Sequence, residues 1–225
     1  MNKDQKLLEE AYEKICESLN EPLYFGPPER KQEFLDWLSK LKHEVHSDGS
    51  VSINEFFVVL DGLKLSVLPF RFKEVTGHFV CGNNNLTTLK GAPEKISGGF
   101  NCHNNKLISL EGSPQEVGRF DCDNNKLTSL RGGPKRVGQT FSCARNQLTS
   151  LEGAPKIVEG SFNCVNNKII SLTGAPERIG EQFWCDTFTK EDYKKFVKER
   201  KIDRKLNKQL SKDFSEEDLK ALEDF

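Results

Sequence analysis

Cysteine is the residue in this chain that most readily does chemistry, because a thiolate can attack carbon, bind a metal or form a disulfide. Three interpretations stay open for the cysteines: a buried column of thiols, a column of disulfides and a metal site. We favour the buried column in a reducing compartment, because a buried thiol packs as a small hydrophobe and the C-x-x-C pairs of zinc sites are missing. Six of the seven cysteines each follow a phenylalanine by two positions and lie 20 or 21 residues apart: Cys81, Cys102, Cys122, Cys143, Cys164 and Cys185.

His103 and Asp123 are the pair that acid–base catalysis would use. They occupy equivalent outward positions in adjacent repeats, and we expect Arg119 and Arg145 to lie near Asp121 and Asp123 once the repeats stack. An acid–base pair needs hydrogen-bond reach and a pocket, whereas a shallow concave sheet supplies no obvious pocket. No nucleophile or metal triad recurs beside them. We therefore expect ion pairing at the surface, no enzyme activity, no cofactor and no metal.

The outward strand positions vary from repeat to repeat while the inward positions stay the same. A binding surface on a fixed frame gives this pattern, and so does drift at solvated positions. Trp184 is either a binding anchor or covered by a helix that follows it. The candidate partner-binding residues on the concave face are Asn101, His103, Arg119, Asp121, Asp123, Arg145, Asn163, Trp184 and Asp186.

A basic stretch lies near the carboxyl end, with ten Lys or Arg and four Asp or Glu in residues 190–212. A solvated helix, docking on an acidic protein and contact with nucleic-acid phosphates are all open, in decreasing order of preference. The whole chain holds 33 basic and 34 acidic residues, so its net charge gives no case for nucleic acid or an anionic membrane. The candidate basic patch comprises Lys194, Lys195, Lys198, Lys201, Arg204 and Lys205.

The elements that must position these residues come from a repeat. After each regular Phe-x-Cys come an asparagine, two apolar positions, a Gly-x-Pro and a β-branched residue, as in Asn105, Leu107, Leu110, Pro114 and Val117. A fixed period in this range is typical of a solenoid. The Phe-x-Cys alternation predicts a short strand with one face inward, and the asparagine amide should bond backbone in its own and the neighbouring turn. Gly-x-Pro crosses the outer surface without a helix. One coil alone buries too little to be stable, so stacking is required.

The pattern F-x-C-x-x-N-x-L-x-S-L-x-G-x-P-x-x-V resembles the short bacterial leucine-rich repeat, in the form found in proteins of tailed bacteriophages. The resemblance covers roughly residues 45–188 and begins with the segment from Asp48 to Cys81. It implies an α/β leucine-rich-repeat solenoid, with a parallel β-sheet on the concave side and an irregular convex side. It also implies a cytoplasmic, phage-encoded protein.

Three regions follow from the patterns around the repeat. Residues 1–44 are a helical hairpin, with apolar stripes over 4–19 and 29–42, and cap the solenoid or form a functional domain. Residues 45–188 are the solenoid, starting with a turn at Asp48-Gly49, a degenerate coil at 58–78 and regular coils at 79–182. Residues 189–225 are a basic helical segment that acts as the carboxyl-terminal cap and opens with a capping box at Thr189.

The function expected from the sequence is a non-catalytic protein-binding module that binds and inhibits or modulates a bacterial host protein, for example a defence protein. The alternatives are a nucleic-acid-associated protein that uses the basic segment and a structural component of the virion. No run of 18 apolar residues and no secretion signal is present, so we expect a cytoplasmic protein without membrane contact. The sequence does not assign an oligomeric state.

Overall fold

The computed structural model describes residues 28–213. The chain divides into two compact units, Met1–Thr187 and Phe188–Phe225. The helix predicted for residues 4–19 and the helix predicted from Ser215 onward lie outside the described residues, as does Cys16.

The first unit is a solenoid of parallel strands with turns of about 21 residues. Equivalent residues of successive coils pair directly, so Phe100 lies opposite Phe120 and Phe120 opposite Phe141. A seven-stranded parallel sheet contains β3 (Phe57–Val59), β5 (His78–Val80), β7 (Gly99–Asn101), β9 (Arg119–Asp121), β11 (Phe141–Ser142), β13 (Phe162–Asn163) and β15 (Phe183–Trp184), in this spatial order.

Each coil contributes a second strand, which the sequence analysis did not predict. These strands are β4 (Phe72–Val75), β6 (Lys95–Ile96), β8 (Glu116–Val117), β10 (Arg136–Val137), β12 (Ile157–Val158) and β14 (Arg178–Ile179). Strands β8, β10, β12 and β14 form one parallel sheet, whereas β4 and β6 pair with each other. The prediction of one parallel sheet with an irregular convex side is therefore wrong, because these second strands form parallel sheets of their own. The Gly-x-Pro segments are irregular and hold no helix, as predicted.

The corner between the two strands of a coil explains the one spacing of 20 residues. Three residues lie between Ile96 and Phe100, whereas only two lie between Val117 and Phe120. Glycines fill these corners because the coils approach closely there. A Cβ on Gly98 would lie 2.5 Å from the carbonyl oxygen of Gly77. The deletion therefore shortens a corner and leaves the register of both sheets intact.

The core is a column of aromatic rings beside a column of thiols. The rings of Phe79, Phe100, Phe120, Phe141 and Phe162 are stacked nearly parallel, with centroids 5.3–5.7 Å apart. Burying one such side chain contributes about 1.5–3 kcal/mol, and each aromatic pair adds about 0.5–1.5 kcal/mol.

The cysteines of five coils are free thiols and are buried with these rings, as predicted, while Cys185 is partly exposed. Burial raises the pKa of the thiols of Cys102, Cys122 and Cys143 well above the ordinary value. A group held in the thiol form is a poor nucleophile. These side chains therefore contribute packing.

A buried asparagine amide joins each coil to the one before it. The Oδ1 of Asn125 accepts a hydrogen bond of 3.0 Å from the backbone N–H of Leu107. Its Nδ2 donates to the carbonyl oxygens of Cys102 and Cys122 at 3.1 Å. The same bonds recur at Asn84, Asn105, Asn146 and Asn167, which confirms the predicted role of this position.

The described part of the first unit starts with a 3-10 turn, Pro28–Arg30, and continues into helix α1, Lys31–Leu38. The helix is shorter than predicted, and it buries Phe34, Leu35 and Leu38. The predicted turn at Asp48-Gly49 is confirmed: it joins β1 (His43–Val45) to β2 (Val51–Ile53), which pair antiparallel, and β2 then pairs with β4. The predicted degenerate coil is confirmed too, because its core positions Val58, Leu60, Leu65, Leu68 and Val75 are buried.

The second unit contains helix α2, Lys190–Asp213. The predicted capping box is present: Thr189 Oγ1 accepts from the backbone N–H of Asp192, whose Oδ2 accepts from the backbone N–H of Thr189 at 2.8 Å. This bond lowers the pKa of Asp192. Neither α1 nor α2, the helices in the described part of the chain, is long and apolar enough to cross a membrane.

Replacing Asn125 with alanine should lower the free energy of unfolding by about 3 kcal/mol or more, because buried backbone groups in two coils lose their partner. Urea unfolding followed by circular dichroism measures the change. The matched control is Asn124→Gly, because Asn124 is exposed in the same turn and has a positive φ of 53°. Equal losses from the two substitutions would contradict the role of the buried amide.

Replacing Gly153 with alanine should prevent coil stacking, because the new Cβ would lie 2.2 Å from the backbone nitrogen of Arg131. Gly62 has a similar positive φ but nothing within 4 Å of a Cβ. Gly62→Ala therefore carries only the backbone strain, about 1–2 kcal/mol. Thermal unfolding of the two variants compares them. A Gly62→Ala variant as unstable as Gly153→Ala would show that stacking distance is unimportant.

Candidate functional site

Three rows of side chains cross the outward face of the seven-stranded sheet, and we call this the row face. The strand register and the backbone hydrogen bonds that flank it place one residue of every coil in each row. The first row is Phe57, His78, Gly99, Arg119, Thr140, Ser161 and Gln182. The second row is Val59, Val80, Asn101, Asp121, Ser142, Asn163 and Trp184. The third row is Asp61, Gly82, His103, Asp123, Ala144, Val165 and Asp186.

The row face holds all of the predicted partner-binding residues except Arg145. Arg145 follows the third row at a left-handed turn position with φ 54°. Most of the first row, including Phe57 and His78, was not among the residues predicted from the sequence. The signal that would have found them is the alternation itself, since the residue before each Phe must point outward like the residue after it.

A polar network orders the amino-terminal part of the third row. His103 Nδ1 bonds to Asn101 Oδ1 at 2.5 Å, so Nδ1 carries the hydrogen, and His103 Nε2 accepts from Asn83 Nδ2 at 3.2 Å. Asn83 Nδ2 also donates to Asp61 at 3.0 Å. A Cβ on Gly82 would lie 2.6 Å from the His103 ring, so this glycine leaves the space that the ring fills. Both ring nitrogens of His103 are therefore used within the sheet.

A second network orders the next coils. Asp123 Oδ1 accepts from Ser142 Oγ at 2.6 Å and from the backbone N–H of Ala144 at 2.8 Å. Ser142 Oγ in turn accepts from Asn163 Nδ2 at 3.1 Å. Asp123 thus forms these hydrogen bonds with the following coil, whereas His103 forms a hydrogen bond with the preceding coil. Within residues 28–213, no hydrogen bond or ion pair joins Asp123 to His103.

The pKa of Asp123 lies above its ordinary value because the carboxyl group is partly buried. The hydrogen bonds from Ser142 and Ala144 act in the opposite direction, as does the charge of Arg145. The nearby Asp121 carboxylate adds to the upward shift. The environment of Asp123 in the folded protein therefore disfavours the ionised form of its carboxyl group, which lies in the middle of the third row.

The amino-terminal half of the row face contains a cleft of about 250 Å³. Phe57, His78 and Val80 line one side, and Asn101, Arg119 and Asp121 line the other. The His78 ring is stacked on Phe57 with centroids 5.0 Å apart, and its Nδ1 accepts from the backbone N–H of Gly99 at 2.9 Å. The prediction that a shallow sheet has no pocket is therefore wrong for these four strands.

Exposed aromatic side chains lie at both ends of the row face. Phe56 and Phe57 are 71% and 53% exposed at edge strand β3, and Trp184 is 47% exposed on β15. The backbone N–H of Asn166 donates to Asp186 beside Trp184.

Within the described residues, no cluster of three His, Cys, Asp or Glu side chains is placed to hold a metal ion.

The predicted basic patch lies on helix α2, and the side chain of its Arg204 is outside the described part of the structure. Lys194, Lys198, Lys201 and Lys205 recur at helical spacing along one face, and all are exposed. Lys195 is exposed as well, and Lys194 Nζ lies 3.3 Å from Glu191 Oε1. The helix therefore presents a row of positive charges, the first of which pairs with Glu191.

Replacing Asp123 with asparagine should stabilise the protein at pH 7 more than at pH 3. Because the pKa of Asp123 is raised in the folded state, the folded protein binds a proton more tightly than the unfolded chain. Its stability therefore falls as the pH rises through that pKa, and asparagine removes this loss while Oδ1 still accepts both hydrogen bonds. Urea unfolding at both pH values measures the difference. An effect that does not depend on pH would show that the carboxylate carries no penalty.

Neither a protein-family model, nor a curated protein, nor a solved structure matches the chain.

Proposed function

We propose that the chain is a leucine-rich-repeat protein that acts as a non-catalytic protein-binding module through the row face. The parallel coils and the F-x-C-x-x-N-x-L pattern support this assignment. The partner in this proposal is a bacterial host protein that the module inhibits or modulates in the cytoplasm. That part follows from the resemblance of the repeats to those of tailed bacteriophages.

The observation that carries the proposal is that the side chains of the row face differ in chemistry from coil to coil and are held in place by hydrogen bonds. Inward positions repeat the same residue types, whereas the rows combine aromatic, acidic, basic and amide side chains. The networks through His103 and Asp123 hold these side chains in place before any partner binds. Preorganised side chains lose less entropy on association, which favours affinity. A rigid, chemically varied sheet is therefore suited to recognise one protein surface.

The same networks argue for binding rather than catalysis. A general base needs a ring nitrogen or carboxylate free to take a proton from substrate. Both nitrogens of His103 already have partners, and Asp123 Oδ1 accepts two hydrogen bonds.

We also propose that α1 belongs to an amino-terminal cap. Arg30 Nη1 donates to the carbonyl oxygen of Leu63 at 2.7 Å, and the Phe34 ring meets Phe70 edge-on with centroids 6.5 Å apart. These contacts with the first, degenerate coil support a cap, because the core of that coil would otherwise be open to water.

A second candidate function, nucleic-acid binding, has support from the basic face of α2. Several exposed lysines at helical spacing can contact successive phosphates, and such binding weakens steeply with salt. A gel-shift titration of duplex and single-stranded DNA at 50 mM and 200 mM salt tests it. Binding that falls at least tenfold between these salt concentrations would favour this function over the row face.

The proposed function predicts that one host protein is retained by the chain and lost when the row face changes. The test variant is Asp121→Lys with Trp184→Ala. The matched control is Glu116→Lys with Ile170→Ala, which makes the same charge change and removes an exposed apolar side chain away from the row face. Affinity purification from bacterial lysate with quantitative mass spectrometry measures retention.

We expect the wild type and the control to retain the same protein in stoichiometric amounts and the test variant to lose at least nine-tenths of it. Stoichiometric retention by all three chains would remove the row face from the proposal. The proposal as a whole would be contradicted if no protein is retained stoichiometrically.

A further inference from the structure

The cleft on the row face exists because Gly99 lacks a side chain. Gly99 lies in the first row between His78 and Arg119, and a Cβ there would lie 3.0 Å from His78 Nδ1 and 3.4 Å from Arg119 Cβ. Its backbone is extended within β7, where any residue type is allowed. The glycine is therefore not required by the backbone, and its effect is to leave an open space between two side chains.

One wall of this space is aromatic. Phe57 is 53% exposed, and the His78 ring is held against it by stacking and by the hydrogen bond from the Gly99 N–H. Val80 continues the apolar surface in the second row. Exposed, rigidly held aromatic groups beside a cavity are typical of the positions that carry most of the energy of an interface.

The opposite wall offers an unpaired positive charge. Arg119 is exposed, and its guanidinium makes no hydrogen bond or ion pair with any residue that the structure describes. Its neighbours in the first row, Gly99 and Thr140, carry no charge. Asp121 lies in the next row, where its Oδ1 already accepts from the backbone N–H of Asp123 at 3.1 Å. The charge available to an occupant is therefore that of Arg119, whose planar fork matches a carboxylate.

The size of the space limits what it can take. Pockets for drug-sized molecules measure about 300–1,000 Å³, and this cleft is about 250 Å³ and open to solvent. One side chain of a larger partner fits these dimensions better than an independent small molecule. An aromatic ring would stack against the His78 and Phe57 pair while a neighbouring carboxylate reaches Arg119.

We propose that the cleft between His78 and Arg119 binds an aromatic residue of the partner protein together with an adjacent carboxylate. This inference rests on the proposed function and names the chemistry of the segment that the row face recognises. The ring fills the space above Gly99, and the carboxylate pairs with Arg119.

The probe for this proposal is N-acetyl-L-phenylalanine, and its uncharged control is N-acetyl-L-phenylalaninamide. Titration of the 15N-labelled full chain, followed by 1H–15N spectra, detects binding at single residues. For a ligand of this size, the acid should bind with a Kd of about 1 mM. We expect shifts at the backbone amides of Val80 and Gly99 and at Nε–H of Arg119, and at least fivefold weaker binding of the amide.

Two substitutions separate the two parts of the cleft. Gly99→Val fills the space and should abolish binding of both probes, whereas Arg119→Gln should leave the ring site and make the acid and the amide bind equally. The matched control is Gln182→Val, an exposed residue at the far end of the same row, which should bind the acid as the wild type does. Wild-type-like spectra before titration establish that each variant is folded.

The proposal is overturned if the acid binds no better than the amide, if the shifts lie outside the cleft, or if Gly99→Val leaves binding unchanged. These outcomes do not decide the proposed function, because retention of a host protein through the row face is measured without the probes. A partner that is retained by the wild type and lost by the row-face variant, together with no binding of either probe, would contradict only the cleft.

Discussion

The buried asparagine amide is the interaction on which the architecture depends. Strand pairing alone would allow neighbouring coils to slip, since the strands are two to four residues long. The amide of Asn105 removes that freedom, because it binds the backbone of Leu86 and Cys81 in the preceding coil and of Cys102 in its own. A slip by one residue would leave several buried polar groups without partners, at about 1–3 kcal/mol each.

A fixed register in the turns also determines the outer surface. With Phe79 opposite Phe100 inside, Val80 must lie beside Asn101 outside, and every row inherits this order. The invariant interior therefore supports a variable exterior, in which a change of one outward residue leaves the stacking untouched. The cleft is an example, since the absence of a side chain at Gly99 opens a space while Phe100 beneath it remains buried.

The first strand of each coil and its inward side chains could be predicted from the sequence, because Phe and Cys alternate with polar residues at a constant period. The second strand of each coil could not, because two-residue strands such as Arg136–Val137 are too short to show an alternation. The outward positions of His103 and Asp123 were predicted, but it was not predicted that His103 bonds to the preceding coil and Asp123 to the following one. These bonds depend on the space left by Gly82 and on the hydroxyl of Ser142, which are visible only once neighbouring coils are aligned.

Native-state hydrogen exchange at the backbone amides of Leu86, Leu107, Leu127 and Leu148 tests this account most directly. These four amides lie outside every strand and helix, and each donates only to an asparagine Oδ1 of the next coil, at 2.9–3.0 Å. The account predicts that they exchange as slowly as strand amides such as those of Phe100 and Phe120. Exchange at the rate of exposed loop amides would contradict it, because the coils would then not be joined through their asparagines.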